Sequence, residues 1–172
     1  FGFQGQTCSA WSRLVIHQKI HDAVGDMLLE RMKSLPVGNP WEAPCIFTGP
    51  VAHRPAMDKI LAFIEKGKAE GTLRVGGARL DRPGHFVAPT VFTGIRPGST
   101  LEQEEIFGPV LGVVAVESFP EGLQVANDTR YGLTGAAYSR SIEHLDLARQ
   151  RFHCGNLYLN RGCTGAMVGV HP

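Results

Sequence analysis

The apolar positions of this chain alternate between short continuous runs and helical spacing. Residues 13–17 (RLVIH) are a β-branched run and predict a strand. Ile20, Val24, Met27, Leu28 and Leu35 return near helical spacing and predict an amphipathic helix over about 20–35. The Pro- and Gly-rich stretch 36–50 predicts a loop. Pro55 then opens a second helix that gathers Met57, Ile60, Leu61 and Ile64 on one face and ends near Gly71. A strand at 72–75 leads into the Gly-Gly turn at 76–77. Residues 85–93 read as extended, with Pro89 pointing to an edge or a bulge. LEQEE (101–105) reads as a helical turn, and VLGVVAV (110–116) as a strand buried on both faces. A helix over 119–128 and a strand over 132–139 follow. Ser141 then caps a helix that buries Ile142, Leu145, Ala148 and Phe152, and NLYLN (156–160) reads as a last strand. The alternation of strands and helices predicts an α/β layered domain with a largely parallel sheet.

Composition narrows the classes. The 172 residues suffice for one sizeable core, and the formal net charge of +1 gives no electrostatic case for nucleic acid or an anionic membrane. No apolar run reaches the length of a membrane span, and the start FGFQGQ has neither the basic nor the apolar region of a secretory leader. Cys8, Cys45, Cys154 and Cys163 form no CxxC pair and complete no zinc pattern with the seven histidines. Reduced thiols and an intracellular compartment are the expectation. Phe1 is not an initiator Met, and the ends read as cut from a longer protein.

Three stretches can carry chemistry. In GQTCSA (5–10), Cys8 is either a small buried hydrophobe or a nucleophile made reactive by nearby backbone N–H groups, with small neighbours that leave room for a substrate. In EQEEIFGPV (102–110), three carboxylates precede an aromatic residue and Gly-Pro. This is either a solvated acidic turn anchored by Phe107, or a site where one Glu accepts hydrogen bonds from sugar hydroxyls beside a flat Phe107 wall. In NRGCTGAMVG (160–169), Gly162, Gly165 and Gly169 permit close backbone approach, as a plain connection or as a cradle for a carboxylate. The histidines are scattered, and none stands at a recognisable base-to-nucleophile spacing from Cys8.

Taken together and in order, these stretches resemble the catalytic domain of the aldehyde dehydrogenase superfamily. GQTCSA is similar to its cysteine motif and EEIFGPV to its second signature, and VGNP (37–40), GP (49–50), GG (76–77), PTVF (89–92) and the Asn that ends strand 157–160 fall in the same order. The resemblance covers essentially all of residues 1–172 and implies a three-layer α/β domain. NRGCTGAMVG, with Ser9 directly after Cys8, resembles the 1-pyrroline-5-carboxylate (glutamate-semialdehyde) dehydrogenases in particular.

The resemblance implies that Cys8 is the nucleophile. Ser9, Gly165 and Ala166 hold the substrate α-carboxylate, Glu105 holds the nicotinamide ribose, and Phe107 packs beside the nicotinamide. The cofactor is NAD, with NADP left open. It implies a small aldehyde as partner, a homo-oligomeric full-length protein, and a cytoplasmic location (the mitochondrial matrix in a eukaryote). It further implies that the general base, the oxyanion Asn, the cofactor-binding domain and the extreme C-terminus lie outside this sequence, and that the 172 residues alone are inactive. Another aldehyde or semialdehyde dehydrogenase is the near alternative. A cysteine hydrolase and a non-catalytic domain of this fold are the remote ones.

Overall fold

The computed structural model describes residues 1–163. After a short 3-10 turn at Gly2–Gly5, the chain forms β1 (Arg13–His17), α1 (Gln18–Lys33), α2 (Arg54–Glu70), β2 (Thr72–Val75), β3 (Thr90–Thr93), α3 (Thr100–Gln103), β4 (Val110–Val116), α4 (Phe119–Asn127), β5 (Thr134–Ala137), α5 (Ile142–Arg151) and β6 (Asn156–Leu159). β1, β4, β3 and β2 pair in that order, with β4 parallel to both β1 and β3. β2 runs antiparallel to β3 at the edge, and its register shifts between Leu73 and Val75. β5 and β6 form a second, parallel pair. The mostly parallel α/β architecture matches the expectation, although the strands divide between two sheets.

Side chains alternate across the main sheet, as the pleat requires. Val15, Phe92, Val110 and Val114 face one way and meet Met57, Ile60 and Ile64 of α2 and Val125 of α4. Ile16, Val91, Leu111 and Val113 face the other way and meet Val24, Leu28 and Met32 of α1. The sheet is therefore the middle of three layers. A third cluster joins Leu123, Ala137 and Ala148 with Phe119, Leu147, Phe152, Leu157 and Leu159, and so seats α5 and the β5–β6 pair against α4.

The helix starts follow local chemistry. His17 and His53 cap α1 and α2, each ring nitrogen accepting a backbone N–H, and a Pro stands in the first turn of α2. Ser118 and Ser141 do the same for α4 and α5. Two expectations about helix faces fail. Ile142 is 69% exposed, and Leu147 packs in the cluster where Ile142 was expected. Ile20 and Met27 of α1 are also exposed, because that helix covers the sheet with a narrow stripe and buries no residue fully. Residues 85–89 precede β3 as irregular chain, tied by a bridge between Arg79 and Val87 and by the Val51 N–H on the His85 carbonyl.

Candidate active site

Cys8 stands in the turn that precedes β1. The Ala10 N–H donates to the Thr7 carbonyl at 3.0 Å, which leaves Cys8 and Ser9 as the central pair of the turn. Cys8 is exposed, so it is not the small buried hydrophobe that was the alternative. Cys163 is buried and Cys154 half-buried, and burial pushes the Cys154 thiol up, away from reactivity. Cys45 is also exposed, in the 36–50 loop. Among the described residues the Cys8 N–H and the Ser9 hydroxyl have no hydrogen-bond partner. An exposed thiol beside an unpaired N–H suits attack on a carbonyl whose oxygen that N–H then holds. No described histidine bonds to Cys8: His17 and His53 cap helices, and His144 meets Ser139. A Cys/His hydrolase pair therefore has no support in the described residues.

The second stretch lies against this turn. Gly5 has φ +70°, and a Cβ built on it would fall 2.1 Å from the Gly108 carbonyl oxygen and 2.5 Å from its carbon. The two backbones touch where only a glycine fits. Gly108 is as tight on its other side, since a Cβ there would meet Ile60 at 2.5 Å. Phe107, directly before it, takes φ +57°, a conformation uncommon for a bulky residue. That geometry points Ile106 inward at 2% exposure and leaves Phe107 at 38%. Ile106, not Phe107, anchors the turn, and the Phe107 ring remains available as a wall.

The three carboxylates of this stretch have separate fates. Glu102 is buried and bonds Arg13 at 2.5 Å, which corrects the picture of a wholly solvated acidic turn. Glu104 pairs with Arg130. Glu105 is exposed; its backbone carbonyl accepts from Lys59 at 3.1 Å, while its carboxylate has no partner among the described residues. It is the one carboxylate of the three left to accept bonds from a ligand. Glu70 fixes the start of α3, accepting the Thr100 and Leu101 N–H groups at 2.9 Å each. Burial works to raise the Glu70 pKa, but bonds from the Thr100 side chain and these N–H groups outweigh it and hold the carboxyl below its usual range.

The third stretch begins beside the cysteine turn as well. The Trp11 indole N–H donates to Cys163 Sγ at 2.6 Å, and the Cys163 thiol donates to the Ser9 carbonyl at 3.4 Å. Asn160, at φ +55°, closes β6 by accepting from the Ser139 N–H and donating to the Ser139 carbonyl. Gly165 and Ala166 lie outside the described residues. Sequence reasoning missed Gly5, Gly108, Arg13, Glu102, Trp11 and Cys163 as supports of the site. Their signal is spatial, since each pairs with a residue far away in the chain.

Residues 1–172 match the aldehyde dehydrogenase family over their whole length. The chain belongs to the aldehyde dehydrogenase family. It is 51% identical over all 172 residues to a 1-pyrroline-5-carboxylate dehydrogenase of Bacillus pumilus and covers 33% of that protein. Among solved structures, it matches 1-pyrroline-5-carboxylate dehydrogenase from Thermus with bound NAD at TM-score 0.94 and 52% identity, covering 99% of this chain and 33% of that one. It also matches proline utilization A from Bdellovibrio bacteriovorus at TM-score 0.94 and 40% identity, covering all of this chain and 18% of that one. The chain thus spans about a third of the length of the curated relatives it matches. Among the described residues no helix is long and apolar enough to cross a membrane, and no cluster of His, Cys, Asp and Glu could hold a metal ion.

Proposed function

We infer that the full-length protein oxidises L-glutamate γ-semialdehyde, the open form of 1-pyrroline-5-carboxylate, to glutamate with NAD, as a step of proline catabolism. One observation carries this reading: Gly5 packs on Gly108, so the turn that exposes Cys8 abuts the turn that presents Glu105 and Phe107. The names of the relatives support the substrate, and the NAD-bound Thermus structure supports the cofactor. The compartment we propose is the cytoplasm, and the active form a homo-oligomer with residues 1–172 as its catalytic domain.

The residues present suit one end of NAD. Glu105 offers ribose hydroxyls a carboxylate with no partner among the described residues, and Phe107 offers an exposed ring to a flat heterocycle. When bound, NAD supplies the hydride acceptor. The Cys8 thiolate attacks the aldehyde carbon, a C–S bond forms, and the carbonyl oxygen becomes an oxyanion held by the Cys8 N–H. Once oxidised, the carbon remains on Cys8 as a thioester. Attack by water breaks the C–S bond, frees glutamate and returns the thiolate. Ser9, with Gly165 and Ala166, receives the α-carboxylate through one hydroxyl and two N–H donors, which a plain alkyl aldehyde cannot use.

The cofactor half of this reading has its own test. Glu105→Gln in the full-length enzyme keeps the shape and weakens charge-assisted acceptance from the ribose. The expected result is a KM for NAD raised by about tenfold, in line with loss of a bond worth roughly 1.5 kcal/mol. The KM for the aldehyde is expected to stay unchanged. An unchanged KM for NAD would remove Glu105 from the site.

A further inference from the structure

The ion pair of half-buried Arg13 with buried Glu102 has no part in the steps above, yet it joins the two turns that do. Arg13 opens β1, five residues after Cys8, and Glu102 lies in α3, three residues before Glu105. Arg13 Nη1 donates to Glu102 Oε1 at 2.5 Å and to the Val125 carbonyl at 3.3 Å, while Nη2 donates to the Ala126 carbonyl at 3.1 Å. Glu102 Oε2 accepts the Gly98 N–H at 3.1 Å and Gln103 Nε2 at 2.5 Å, and Nε2 also donates to the Asp128 carbonyl at 2.6 Å. Both carboxylate oxygens are used. The guanidinium sits on carbonyls of the last turn of α4, where the helix dipole favours a cation.

An ion pair whose carboxylate is this enclosed is a poor choice for stability alone. Its desolvation offsets most of its attraction, and apolar residues of similar size often serve as well. What an ion pair with fixed bonds adds is geometry. Apolar side chains would let α3 slide on β1, whereas this network admits one arrangement of the β1 start, the 96–99 turn, α3 and the end of α4.

We propose that Arg13 and Glu102 are positioning residues that hold the Glu105–Phe107 turn at its working distance from Cys8. The inference rests on the reading of Glu105 as a cofactor contact. Displacement of a ligand-binding turn by about 1 Å is enough to lose an order of magnitude or more in the interactions it makes.

Equilibrium titration of the full-length protein with NAD, followed calorimetrically in the absence of aldehyde, is the test, together with thermal melts. Glu102→Gln is expected to raise the Kd for NAD by about tenfold and to lower the melting temperature. The double variant Arg13→Met/Glu102→Met is expected to recover much of the melting temperature but not the Kd, because apolar packing replaces the stability and not the registry. A double variant with wild-type stability and a Kd within about twofold of wild type would overturn the proposal and leave the pair a structural feature. Glu105→Gln separates this outcome from failure of the underlying reading. If it weakens NAD binding while the Glu102 variants do not, only the positioning role falls; if it leaves binding unchanged, the assignment of Glu105 falls too.

Discussion

Cys8→Ser in the full-length protein is expected to cut aldehyde oxidation by about 10⁴-fold or more. A serine hydroxyl fits the same turn but is not ionised near neutral pH, and this site offers it no described histidine as base. The fold is expected to be indifferent to the change. Cys8 is exposed, and the turn is closed by the backbone bond between Ala10 and Thr7, so stability should shift by no more than about 0.5 kcal/mol. Steady-state rates and thermal melts on the same samples read both quantities. Cys45→Ser is the control, since it removes the other exposed thiol, in the 36–50 loop. Full activity in the Cys8 variant would move the reaction elsewhere in the molecule.

Gly5→Ala is expected to destabilise the protein by roughly 2–5 kcal/mol. About 1–2 kcal/mol comes from placing an L side chain at φ +70°, and about 1–3 kcal/mol from forcing a methyl group into the Gly108 backbone. The clash is with a carbonyl and not with a flexible side-chain tip, so it cannot be relieved by a rotamer change. The two turns must part instead, and the folded fraction that remains is expected to bind NAD more weakly and to turn aldehyde over inefficiently. Urea unfolding together with activity per folded molecule checks both effects. A midpoint and a rate equal to wild type would mean that the turns are not in contact.

Local physics made most of the elements legible. β4 announced itself as an apolar run with room for only one exposed residue, Ala115. Pro55 and Ser141 marked helix starts because each supplies what a first turn lacks. Which face each helix presents was less legible. Ile20, Met27 and Ile142 fit a helical period, but α1 and α5 cover small areas of sheet, so part of each apolar stripe meets solvent. The division of strands between two sheets depends on pairing partners, which no local pattern specifies.

The site was legible as motifs and not as an assembly. GQTCSA and EEIFGPV are separate phrases in the sequence, and nothing in either tells that Gly5 rests on Gly108. Arg13 and Glu102 are 89 residues apart, so a carboxylate that reads as one of a solvated group proves to be the buried one. Phe107 looks like an anchor by hydrophobicity, and its positive φ reverses that by turning Ile106 inward.

The relative turnover of two aldehydes by the full-length protein with NAD is the decisive test of the proposed substrate site. In the proposed reading glutamate γ-semialdehyde engages Cys8 through its aldehyde and Ser9, Gly165 and Ala166 through its α-carboxylate, whereas succinate semialdehyde carries its carboxylate one carbon nearer the aldehyde and lacks the amino group. A kcat/KM higher for glutamate γ-semialdehyde by about 10²-fold or more is expected. Equal or faster oxidation of succinate semialdehyde would remove the carboxylate contacts from the site.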